Sequence, residues 1–233
     1  MKKVIFLSNL VFLLVIFFCP ITSFAEDYHS RYIQQEKLND YKELYKEDEI
    51  AINEINKNLP KLLEEGKKFA QTDVKQNVLY SSNTLGSCGD IIVNLVIDSG
   101  SVGFAGHAAI VSNDYSKTVE SYAKNWSPKK IDGVQYYTNN WNLKKGTLLV
   151  RPVGASMSQY KKAASYAASQ VGKPYNWDFL NKTTTQKYYC SQLVWRAWLN
   201  AGINCETGSI PNGIIAPADL VNSSNTYIVK KVQ

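Results

Sequence analysis

Between residues 91 and 151 the chain carries five short runs rich in apolar, β-branched or aromatic residues: 91–97, 107–111, 118–122, 134–137 and 147–151. The connections between them include a glycine-rich loop at 100–106 and a turn at Asn113-Asp114. Short connections of this kind join neighbouring strands antiparallel, because a parallel pair needs a crossover of a dozen residues or more. Helical spacing follows the strands. Residues 157–171 are opened by a Ser156/Gln159 capping box and stopped by Gly172, and residues 188–200 are stopped by Gly202. A single turn at 216–220 and a last strand at 226–230 complete the chain. Strands segregated from helices predict an α+β fold with an antiparallel sheet.

Within the second of these helices, Leu193, Val194, Ala197 and Trp198 fall on one face and Cys190 sits at the start. The unpaired N–H groups and positive dipole end of a first helical turn favour thiolate over thiol, and the thiolate is the nucleophile. A free cysteine is as readily a small buried hydrophobe, so position alone does not decide. A reactive thiol needs a base. His107 is the sole histidine of the strand-and-helix region and opens a strand after the glycine-rich loop. Imidazole takes up and returns a proton near neutral pH. Glu120, one strand on, is the candidate to orient it, provided the two side chains share a face of the sheet. Taken singly, these are a strand-edge histidine and a surface acid; together with Cys190 they form a specific set.

The remaining features concern surroundings. Residues 1–25 have the layout of a secretory signal: Lys2-Lys3, an apolar run from Val4 to Phe18, and Ser23-Phe24-Ala25 at the cleavage position. An uncleaved membrane anchor is the rival reading, and either places the rest of the chain outside the cytoplasm. The exported part keeps Cys88, Cys190 and Cys205. An odd count leaves at least one thiol free or in an intermolecular bridge, and a Cys88–Cys205 bridge would leave Cys190 free. With no CxxC pair and two histidines, His29 and His107, no metal or other cofactor is expected. The formal charge of +6, two of it in Lys2 and Lys3, suits an anionic wall or membrane surface. No basic patch with interleaved aromatics argues for nucleic acid. Residues 32–69 carry a helical stripe (Leu38, Tyr41, Tyr45, Ile52, Ile55, Leu59, Leu62), interrupted by Asp48 and expected to kink or break at Pro60. A polar linker spans 71–88. The expected layout is therefore a signal (1–25), a helical segment and linker (26–85), and one catalytic domain (86–233).

The block Gly172-Lys173-Pro174-Tyr175-Asn176-Trp177 followed by Tyr189-Cys190-Ser191-Gln192-Leu193-Val194 resembles the cysteine-helix block of the NlpC-type cell-wall cysteine peptidases. Here histidine and acid precede cysteine. That order is similar to the circularly permuted branch, the papain-like amidases of the YiiX and YycO type, as are Gly89-Asp90-Ile91-Ile92-Val93 and Gly106-His107-Ala108-Ala109-Ile110-Val111. The resemblance implies a permuted papain-like fold, its antiparallel sheet partly closed and the cysteine helix packed against it. It implies Cys190 as nucleophile, His107 as base and Glu120 as orienting residue, with Tyr175 near the substrate carbonyl and the Cys190 N–H in the oxyanion site. Gln192 stands where the branch often has Glu, a departure expected to alter substrate contacts. The implied substrate is an amide in peptidoglycan peptides. An acyltransferase or lipid hydrolase, which would show an apolar channel beside Cys190, and a non-catalytic peptide-binding module are the other classes this fold admits.

Overall fold

The computed structural model describes residues 21–72, 84–96, 106–206 and 214–233. The chain forms two compact units, Met1–Asp40 and Tyr41–Gln233. In the first, residues 21–40 are helical and begin α1 (Ile21–Thr72). Among the described residues the second holds the rest of α1, a six-stranded sheet and three further helices. The strands are β1 (Ile91–Asn94), β2 (His107–Val111), β3 (Lys117–Tyr122), β4 (Gly133–Thr138), β5 (Thr147–Pro152) and β6 (Thr226–Lys231). They lie in the order β4-β3-β2-β1-β5-β6, every neighbouring pair antiparallel. The sheet is open, with β4 and β6 as its edges.

β1 stops at Asn94 rather than reaching residue 97. The Asn94 amide donates to Thr147 Oγ1 (3.0 Å) and Lys145 O (3.3 Å), while its carbonyl accepts from Val96 N–H (3.0 Å). This side chain substitutes for the next ladder partners, and Leu95-Val96 peel away. The glycine-rich loop and most of the linker lie outside the described residues.

Side-chain alternation divides the sheet into two faces. Ile91, Val93, Ala108, Ile110, Val119, Leu148 and Val150 line one, under α2 (Met157–Ser169), α3 (Cys190–Asn200) and α4 (Pro217–Asn222). Ile92, Ala109, Val111 and Leu149 line the other, covered by Trp141 of a 3₁₀ turn (Trp141–Leu143) and by Val232. α2 starts with the expected capping box, Ser156 and Gln159 bonding each other's backbone N–H. In α3, Leu193, Val194 and Trp198 are fully buried. Each contributes about 1.5–3 kcal/mol, which holds an eleven-residue helix that would not persist alone. Trp198 also donates to Gly89 O (3.2 Å) and meets the Tyr160 ring edge-on.

α1 runs through Pro60 without a break. Proline deletes one backbone hydrogen bond and crowds the carbonyl four residues earlier, here that of Asn56. Both residues are exposed, so the freed carbonyl lies on the solvent side of the helix, while Ile52, Ile55 and Leu59 anchor the turns before the proline in the core. Asp48 is buried and continues the 52–55–59 stripe instead of interrupting it. Farther along, a Cβ on Gly66 would lie 1.9 Å from the Ile228 carbonyl, so only glycine lets α1 come this close to β6. No disulfide joins the three described cysteines, and the Cys88–Cys205 bridge does not form. Cys88 Sγ instead points at Asn113 Oδ1 (3.2 Å), and Cys205 is fully buried.

Candidate active site

Cys190 opens α3 as its first helical residue. The turn bearing it is fastened on both sides. Ser121 Oγ donates to Tyr188 O (2.6 Å), Ile215 N–H to the Tyr189 hydroxyl (3.0 Å), and Ser191 Oγ to Ile215 O (2.6 Å). The sulfur is thus held against β3 by one contact and against the 214–216 segment by two.

His107 opens β2 after Gly106, whose φ of +96° and 2.3 Å Cβ distance to Asn94 O exclude any side chain there. The β2–β3 register, Ile110↔Val119 and Val111↔Thr118, extended along both strands, sets His107 opposite Tyr122 and Ala109 opposite Glu120. Opposed residues share a face, so His107, Glu120, Thr118 and Tyr122 all project from the same side. His107 Nε2 meets Glu120 Oε2 at 2.9 Å, and its ring stacks on Tyr122 (centroids 4.1 Å apart) and Trp141 (5.8 Å).

That side is not the one α3 covers. The sulfur nevertheless reaches the ring, because the site forms at the end of the sheet. The amide of Ala108 points toward β3 beyond the paired part of the β2–β3 ladder, and there it donates to Cys190 Sγ. Cys190 approaches from the helical face, bonds this freed N–H, and hydrogen-bonds His107 arriving from the other face. With Nε2 taken by Glu120, the ring atom facing sulfur is Nδ1.

The electrostatics follow from burial and partners. Burial opposes charge on Cys190, but the hydrogen bond and positive charge of His107, with the Ala108 N–H, outweigh it and hold the thiol below its ordinary value. Burial would lower His107; hydrogen bonds to Cys190 and Glu120, and their negative charges, push it up to about 9. Burial would raise Glu120, but bonds from His107, Thr118 and Trp141 Nε1 (3.0 Å) hold it below the usual carboxylate range. The shifts run in opposite directions, thiol down and imidazole up, so the pair favours the proton on the imidazole over the proton on sulfur. Cys205, buried without such partners, is pushed up to about 12, the behaviour of an inert core thiol.

Cys190, His107 and Glu120 are thus brought together, and Tyr175 joins them, lining a small pocket with His107, Tyr122, Trp126 and Cys190. Tyr175 is positioned by its N–H to Asp132 Oδ2 (3.0 Å) and a bridge to Tyr188. Gln192 is not brought to this cluster. It is fully buried, its Oε1 accepting from Tyr189 N–H (3.1 Å) and Asn176 Nδ2 (3.0 Å) and its Nε2 donating to the carbonyls of Lys182 (3.0 Å) and Thr184 (3.2 Å). Its amide ties a loop to the helix start. Thr118 and Tyr122 escaped the sequence reading; continuing the parity of Glu120 by two residues each way would have found them. Among the described residues no cluster of three or more His, Cys, Asp or Glu side chains is arranged to hold a metal ion.

Residues 86–226 match the family model described as permuted papain-like amidase enzyme, YaeF/YiiX, C92 family. The chain is 33% identical over 106 residues to the uncharacterized protein YycO of Bacillus subtilis, covering 43% of this chain and 42% of that protein. It is 34% identical over 96 residues to the uncharacterized protein YiiX of Escherichia coli, covering 38% and 46%. The matched stretch thus spans less than half the length of these curated relatives. Among solved structures it is similar to one described as the metalloprotein yiiX from Escherichia coli O157:H7, with TM-score 0.45 and 20% identity over 62% of this chain and 97% of the other. The family match takes in β1 to β5 and the cysteine helix and ends at the first residue of β6, and the chain belongs to the permuted papain-like amidase family.

Proposed function

We propose that the protein is an exported cysteine hydrolase that cleaves amide bonds, with peptidoglycan peptides as its substrates. One observation carries this reading: a buried chain of thiol, imidazole and carboxylate in which His107 bonds Cys190 on one side and Glu120 on the other, at 2.9 Å. In this mechanism the Cys190 thiolate attacks the amide carbonyl, and the oxyanion is received by the Cys190 N–H, which no helical partner claims in a first turn. Imidazolium His107 gives its proton to the departing amine. Water, deprotonated by His107, then opens the thioester and regenerates the thiolate. Glu120 fixes the ring and stabilises its cationic form, and Tyr175 borders the carbonyl. Export rests on the signal-like residues 1–25; no helix of the described residues is long and apolar enough to cross a membrane. The domain of 86–233, preceded by its helical segment, is the unit that acts.

Digestion of purified cell wall by wild-type and Cys190→Ala protein, read by mass spectrometry, tests the proposal. Soluble muropeptides are expected from the wild type alone. Equal release by both proteins removes Cys190 from the chemistry, and release by neither removes peptidoglycan as substrate.

A further inference from the structure

On the face of the sheet that carries His107, a cleft of about 330 Å³ opens beside the imidazole, lined by Asn94, Val96, His107, Tyr122, Trp141, Lys144 and Lys145. An acyl channel would be apolar, and a pocket for a peptide amine would carry an acid. This cleft carries no acid, and it is not a plain acyl channel either: two lysines, its charged lining residues besides His107, stand among the apolar walls of Val96, Tyr122 and Trp141. The Lys144 ammonium lies 3.5 Å above the Trp141 ring, and that ring stands 5.8 Å from His107. Lys144 is partly buried; its backbone bonds Trp141 and Thr147, but its ammonium makes no salt bridge or hydrogen bond with a described residue. Burial strips it of water and weakens its hold on its proton, against which only the charge of Glu120 acts. A partly desolvated cation with no carboxylate in contact is what an incoming anion would complete.

We propose that this cleft is an anion-binding subsite, in which Lys144 and Lys145 receive a carboxylate or phosphate group carried by the amide substrate beside the bond that Cys190 opens. The inference rests on the amide-hydrolase reading above and adds the substrate's charge to it. The aromatic wall of Trp141 and Tyr122 fixes the orientation of the flanking group, and the lysines select its charge.

The test uses two alkylating reagents that differ in charge, iodoacetate and neutral iodoacetamide, with modification of Cys190 followed by mass spectrometry. Three proteins are compared at neutral pH: the parent, Lys144→Gln/Lys145→Gln, and Lys161→Gln/Lys162→Gln. The last loses the same charge from exposed positions on α2. In the cleft variant the ratio of iodoacetate to iodoacetamide rates is expected to fall about threefold or more, with no change in the α2 variant. Acetate or inorganic phosphate should slow iodoacetamide in the parent and not in the cleft variant, and the stronger protectant identifies the group recognised. A ratio unchanged by the cleft substitutions, an equal fall in the α2 variant, or no protection by either anion overturns the subsite. Equal slowing of both reagents in the cleft variant also overturns it, because the lysines would then act through Glu120 and His107. If neither reagent modifies Cys190 in the parent, the hydrolase reading itself fails, and the subsite with it.

Discussion

At the scale of single residues, the candidate site depends on where one proton sits. With its pKa raised to about 9, His107 stays cationic below that pH and loses its proton as the pH rises through it, while the Cys190 thiol, held below its ordinary value by His107 and the Ala108 N–H, gives up its proton at lower pH than a free cysteine. Turnover should follow a bell with its alkaline limb near pH 9, where the proton for the leaving amine is lost. Glu120→Gln removes a negative charge that favours the imidazolium. The alkaline limb should then move down by about one pH unit, and the rate should fall about a hundredfold. Limbs unmoved in the variant would show that Glu120 holds the ring without tuning it. Three of these residues were legible in the sequence because each obeys a local rule: a cysteine at a helix start, a histidine at a strand start, an acid at the right parity. Tyr122 and Thr118 obey the same parity but carry no chemical flag. The contact between Trp141 and Glu120 depends on how a 3₁₀ turn folds back over the sheet, which no local spacing encodes.

At the scale of elements, helix ends were readable and loop tethers were not. The Ser156/Gln159 cap is a sequence pattern with its own geometry and appears as such. Gln192, by contrast, was expected to alter substrate contacts because it stands where the resembled branch often has Glu, two residues from Cys190. A helix turns about 100° per residue, so residues two apart face different directions, and Gln192 turns into the loop after Tyr175. There its amide nitrogen donates to the carbonyls of Lys182 and Thr184, while its oxygen accepts from Asn176 and Tyr189. Gln192→Glu keeps the acceptor and replaces the donor with a second oxygen facing those carbonyls. Buried acceptors lose their partner and gain a repulsion, so the variant should be about 2–3 kcal/mol less stable in urea unfolding. A variant as stable as the parent would mean that water reaches the loop carbonyls and that the tether is dispensable.

At the scale of the whole molecule, the unit from Tyr41 to Gln233 joins a helix rich in charge to a sheet that would otherwise expose part of its core. The stripe of Ile52, Ile55 and Leu59 was visible as a period of three and four, and it is buried as that period requires. What the sequence hid was the outcome at Pro60 and the place of Asp48, because both depend on what the helix leans against rather than on its own preferences. Gly66 exposes that dependence. In an isolated helix, replacing glycine by alanine stabilises by about 1 kcal/mol. Here the added methyl would sit 1.9 Å from the backbone oxygen of Ile228, an atom fixed in the β6 ladder, so the helix must lift off the strand. Lifting also loosens the stacking of Phe69 on Tyr227, whose ring centroids lie 5.4 Å apart. The steric term exceeds the propensity gain, and Gly66→Ala should lower stability by about 1–3 kcal/mol in denaturant melts, with circular dichroism showing no added helix. If the variant were more stable than the parent, the helix would be independent of β6 and its apolar stripe would have to be buried by something other than this domain.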